Sequence, residues 1–224
     1  MNAYNTLKVI HILSIATWLG VDLGVFLCSS LGRNRSFSRE TRSEFLGLLG
    51  KLDLGPRVSL IATLPLGLTL AHLNWGLAAS FGAPIGWLIA LLCSAWAALV
   101  VRQHHGLGRW AKPFATFDAA VRVAIAAACI GLALISFAGS SGGPIEASWI
   151  RWKVLLFGLM IVCGLWIRLG MRNAGQLFGA TLVEEPTDDA YNELDRLIRS
   201  LYPPVFLIWA AIVVCVVLAT TKPM

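Results

Sequence analysis

Six stretches of about 20 or more almost uninterrupted apolar residues run through this chain, and they decide what it can fold into. They cover roughly 4–31, 57–80, 84–103, 118–138, 149–170 and 201–220. A hydrocarbon core of about 30 Å takes about 20 helical residues to cross. Inside it no water reaches the backbone, so each crossing must satisfy its own N–H and C=O groups, as an α-helix does. The expectation is therefore an all-α, polytopic transmembrane bundle of about six spans, forming one transmembrane domain over residues 1–224. Of the 224 residues, 57% are hydrophobic and 13% charged, about half the charged share of a soluble domain.

The charges between the spans set an orientation. Counting the adjoining span ends, fourteen of the 18 basic residues fall at the connections between spans one and two, three and four, and five and six, with Lys8, Arg151, Lys153 and Lys222 on the other side. The positive-inside rule then places both termini outside and the long connections in the cytoplasm. Tyr4, Trp75, Phe81, Trp87, Trp149 and Trp152 fall near the outer boundary, where aromatic rings collect. A net charge of +6 on a soluble protein would raise nucleic acid as a partner. Distributed in this way it marks topology and contact with anionic lipid in the bilayer, and no nucleic-acid partner is expected.

Two connecting segments carry helical signals of their own. Residues 38–54 set Phe45, Leu46, Leu48, Leu49 and Leu52 among charges, as a helix lying on a membrane surface does. Residues 187–199 begin with Asp188 and Asp189 and end with Arg196 and Arg199, complementing a helix dipole, with Thr187 as N-cap. Pro203 and Pro204 suit the first turn of the last span. The first run is too long for a signal peptide and its arginines follow it, so it reads as a retained helix. The five cysteines are dispersed over separate spans and make neither a disulfide framework nor a paired-cysteine site.

Histidine at membrane depth costs free energy to bury and is a functional hypothesis by default. Counting helical rise, His11 on the first span and His72 on the second reach the same level of the outer leaflet, about 10 Å and 12 Å below the boundary. Two imidazoles at one level on neighbouring antiparallel helices suit a metal or haem held between them. Trp18 and Asp22 share the His11 face within about 20°. Gly20 and Gly24 form a small-xxx-small pattern on the same helix. Asp22 is expected near the level of Arg57 and Arg168, as an ion pair or a proton relay. Arg151 and Lys153 open the fifth span just above the histidines, where haem propionates would need cations. His104 and His105 end the third span in an interfacial His-His-Gly-Leu-Gly-Arg-Trp segment.

Leu7-Lys8-Val9-Ile10-His11-Ile12 followed by Thr17-Trp18-Leu19-Gly20 resembles the first helix of the CopD/HemJ-type membrane proteins, with its Lys-x-x-His start and Trp-x-Gly step. Trp149 and Lys153 before Leu155-Leu156-Phe157 look like the Trp-x-x-x-Lys helix of the same group, and Pro65-Leu66-Gly67-Leu68-Thr69 before His72 is similar to a Pro-x-Gly helix in it. The resemblance implies a helical bundle of the bacterial inner (plasma) membrane with intramembrane histidines associated with haem b. In one branch it implies protoporphyrinogen oxidation, and in another copper handling.

The leading expectation is a haem-b protein passing electrons within the membrane, with His11 and His72 on the iron, Trp18 beside it, and Arg151 and Lys153 on the propionates. It would work with a redox partner or quinone, as a homo-oligomer or as a subunit of a larger membrane complex. The alternatives are a protoporphyrinogen oxidase, and a copper transporter or non-catalytic membrane subunit with copper in place of haem.

Overall fold

Hydropathy alone dictates helices here, and helices are what form. A computed structural model describes residues 2–75, 83–106, 108–139, 143–184 and 186–222. Among the described residues the elements are α1 (Ala3–Gly32), α2 (Arg39–Leu52), α3 (Leu54–Trp75), α4 (Ala83–His104), α5 (Ala111–Ala138), α6 (Ser148–Gly170), α7 (Ala174–Ala180), α8 (Asp188–Ser200) and α9 (Tyr202–Thr221), with 3₁₀ turns at Gly108–Trp110 and Met171–Asn173. No strand occurs among them. Six of the helical segments are long and apolar enough to cross a membrane. Ile12, Leu13, Leu91, Leu92, Ile135, Leu169 and Leu207 stand exposed along them, which hydrocarbon solvates and water does not.

The two connecting segments are helices, as their sequences require. α2 starts behind Ser38, whose hydroxyl accepts from the Thr41 amide at 3.3 Å, and the carboxyl of Glu40 is held below its ordinary value by its own backbone N–H and then by Ser38. α8 is capped by Thr187, which accepts from Ala190 N at 3.2 Å, and α9 opens on Pro203 and Pro204. Sequence reading ended the fifth span at 170 and assigned no helix to the residues of α7. α4 ends where Gly106 takes φ +102°, a left-handed turn that only glycine makes without strain. The predicted end of the second span at 76–80, together with Phe81 and the side chain of Trp75, lies outside the described residues. Of the other boundary aromatics, Trp87 and Trp152 are exposed and Trp149 is buried.

The chain forms two compact units, one of Met1–Phe26 with Leu49–Thr116, the other of Leu27–Leu48 with Phe117–Met224. In the first, α3 packs along α4, and α1 meets α3 through small residues. A Cβ on Gly55 would collide with Val21 Cγ1 at 2.8 Å, and one on Gly24 would lie 3.3 Å from Leu52. Gly20 has nothing within 4 Å, so of the expected pair only Gly24 is closely approached, by Leu52 at the end of α2, and Gly55 carries the contact of α3 with α1. In the second unit α6 lies along α9 and approaches α5 at Gly158. A separate apolar cluster of Ala174, Phe178, Leu194 and Ile198 joins α7 to α8, with Leu46 of α2 against it.

Candidate functional site

The face that α1 turns to α3 carries the polar residues of its span. His11 is half-buried, its Nδ1 enclosed by protein, and its Cε1 lies 3.5 Å from where a Cβ on Gly67 would stand. One turn along, Ser14 Oγ is 3.2 Å from Thr63 Oγ1 and 3.3 Å from Ser59 O. Thr63 Oγ1 itself donates to Ser59 O at 2.7 Å. Trp18 is buried and Asp22 half-buried further along. At 100° per residue, His11, Ser14, Trp18 and Asp22 fall within an arc of about 80°. Facing them, Gly55, Ser59, Thr63 and Gly67 recur every four residues on α3. That stripe of small residues lets the helices close and supplies hydroxyls across the seam. It is legible in the sequence as a small-xxx-small series, which was recognised only on α1.

His72 does not join this seam. It follows Thr63 by nine residues and Gly67 by five, which turns it about 180° and 140° around α3 from the stripe, and its side chain is exposed. The expectation of a His11–His72 clamp therefore needs correction. Equal depth was inferred from helical rise alone, but the rotation of α3 about its own axis decides which way each side chain points. The contact of Gly67 with His11 also puts His72 five residues, about 7.5 Å, beyond the level at which α3 meets His11. Among the described residues, no three His, Cys, Asp or Glu side chains group closely enough to hold a metal ion.

Arg151 and Lys153 belong to the second unit. Arg151 reaches back onto the segment before α6, its Nε donating to Ile145 O at 2.6 Å and its Nη2 to Glu146 O at 3.1 Å. Lys153 Nζ sits 5.4 Å from the centre of the Trp149 ring, one turn before it, a cation–π pairing suited to a partly desolvated ammonium. The Trp-x-x-x-Lys spacing thus acts by placing the two on one helix face.

The two arginines expected near the level of Asp22 each bond another acid. Arg57 bonds Asp53, one turn earlier in the chain. Arg168 bonds Asp118 of α5, which also accepts from Arg122 Nε at 3.1 Å. Asp118 is fully buried, and sequence reading overlooked it. The signal was present: an Asp-x-x-x-Arg pair at the start of an apolar run brings acid and base together on one face. His104 and His105 are exposed, their rings edge to face with centroids 5.5 Å apart.

Compared with protein-family models, curated proteins and solved structures, the chain matches none.

Proposed function

We propose that this chain is a haem-b-binding, multi-pass protein of the bacterial inner membrane that carries out one-electron chemistry within the bilayer, with both termini outside and His11 as the residue that would hold the iron. The observation that carries this reading is the position of His11. An imidazole at membrane depth faces a second helix at a glycine, with one ring nitrogen enclosed by protein. With Nδ1 enclosed by protein, Nε2 is the ring nitrogen that would hold iron. Bound haem would supply the redox chemistry.

The residues beside His11 handle protons. Ser14 and Thr63 put two hydroxyls in hydrogen-bond range of one another, and Asp22 continues the same face of α1. A hydroxyl can pass a proton as donor and acceptor at once, and electron transfer in a low-dielectric medium favours a compensating proton. Trp18 fills the face between them and keeps bulk water out.

A second reading follows from His72. It lies off the seam, so this chain brings one histidine to His11's face of α3. Iron held by His11 alone would suit oxidase chemistry of the protoporphyrinogen-oxidising kind more than pure electron transfer. Copper handling has less support from these residues, because the seam offers one imidazole and hydroxyls where copper favours several soft or imidazole donors.

The test is the reduced-minus-oxidised absorption spectrum of the protein purified after expression with haem supplied. Wild type should show b-type bands, His11→Ala should lose them, and His72→Ala should keep them. A colourless wild type, or an unchanged spectrum in His11→Ala, refutes the assignment. Rescue of a strain lacking protoporphyrinogen oxidase separates the two readings.

A further inference from the structure

A second polar site forms in the unit built from Leu27–Leu48 and Phe117–Met224, where the chain leaves α1. A cavity of about 290 Å³ is lined by Arg33, Asn34, Arg35, Tyr191, Leu194 and Asp195. The arginines around it are held in different ways. Arg33 is nearly buried and fully engaged: it bonds Asp195, donates to Tyr202 OH at 2.8 Å and reaches Ser29 O at 3.2 Å. Arg42 is buried, donates to Tyr191 OH at 2.5 Å and bonds Thr181 O. Arg35 is different. Its guanidinium lies 4.2 Å above the centre of the Tyr191 ring and is half exposed. Its acidic partner, Asp188, is 2.8 Å away with 86% of its side chain in solvent.

We infer that this cavity is a binding site for the phosphate of an anionic phospholipid headgroup, with Arg35 as the principal contact. The charge balance points that way. Arg33 and Arg199 share Asp195, and Arg35 holds Asp188. Three cations against two carboxylates leave an excess of one positive charge beside a polar concavity. The stacking of Arg35 on Tyr191 fixes the plane of the guanidinium, so little rotamer freedom remains to be lost when a planar bidentate contact to phosphate forms. The carboxylate it holds now is solvated, and such pairs contribute little; a phosphate can displace it. The site's place in the chain matches the ligand. Arg33 follows Gly32, the last residue of a 30-residue apolar helix, at the level where lipid headgroups begin. Arg33, braced by Tyr202, and Asp195 line the cavity, and Asn34 adds a neutral polar wall.

The experiment titrates the detergent-solubilised, full-length protein with short-chain phosphatidylglycerol, short-chain phosphatidylcholine or inorganic phosphate. Binding is read by calorimetry at two salt concentrations. Phosphatidylglycerol should bind at least tenfold more tightly than phosphatidylcholine, and more weakly at the higher salt. Arg35→Gln should weaken it about tenfold. Asp188→Asn should tighten it several-fold, because it removes the competing carboxylate; a merely structural Arg35–Asp188 pair predicts no such gain. Saturable binding of inorganic phosphate with the same dependence on Arg35 would identify a soluble phosphate compound as the ligand and overturn the lipid assignment. Equal affinity for the two lipids, or an Arg35→Gln protein that melts like wild type and binds like wild type, overturns the site.

Discussion

Replacing Asp118 by asparagine should destabilise this protein more than any other single change of one charge, and the structure sets the size of the effect. The carboxylate is fully buried, while the side chains of its partners Arg122 and Arg168 are 8% and 27% exposed. Asparagine keeps the shape and removes the charge, leaving two guanidiniums facing one another without their shared acid. Breaking a buried ion pair by removing one partner costs about 3–5 kcal/mol, because the remaining charge stays desolvated. Partial exposure of Arg168 lets solvent screen part of this, so about 3 kcal/mol is expected, a factor of about 100 in the folded-to-unfolded ratio. Equilibrium unfolding in mixed dodecyl maltoside and sodium dodecyl sulfate micelles, followed by far-ultraviolet circular dichroism, measures it. Asp188→Asn is the internal control: the same chemistry at an exposed pair should change stability by about 0.5 kcal/mol or less. Adding Arg168→Met to Asp118→Asn should recover part of the loss by removing one uncompensated cation. If Asp118→Asn and Asp188→Asn cost the same, burial does not govern these pairs and the reasoning fails.

Two further predictions concern packing at single residues. A Cβ on Gly158 would lie 2.8 Å from Ile130 Cγ1 and 3.2 Å from both Ala126 O and Cys129 Cβ, so Gly158→Ala should cost about 1–3 kcal/mol in the same assay; Gly20→Ala, with nothing within 4 Å, should be close to neutral. Arg42→Met preserves the stem but leaves Gly32 O, Thr181 O and Tyr191 OH without their donor, and should release α2; amide exchange across Arg39–Leu52 should rise at least tenfold, whereas wild-type protection there would show that α2 is held by its apolar face alone.

The dependence of α2 on Arg42 illustrates how far the sequence reaches. The apolar content of Phe45, Leu46, Leu48, Leu49 and Leu52 announces a helix with one face for a hydrophobic surface. It does not announce that an arginine from the same helix points inward to tie three other segments together. Arginine inside protein is stable only when acceptors are in place, and those acceptors come from Gly32, Thr181 and Tyr191, up to 149 residues away. No local pattern encodes them.

The amino-acid order by itself determined the six spans, the amphipathic helices α2 and α8, the Thr187 cap and the proline-led start of α9, because length, apolarity and capping act over one or two helical turns. It also placed His11 on the polar face of α1, since Trp18 and Asp22 repeat at helical spacing. Only the tertiary structure decided that His72 leaves the far side of α3, that Asp118 joins α5 to Arg168, and that Arg151 is committed to the carbonyls before its own helix. Depth in a membrane follows from counting residues. The rotation of each helix about its axis follows from which small side chains let a neighbour approach, and that is settled by packing between segments distant in sequence.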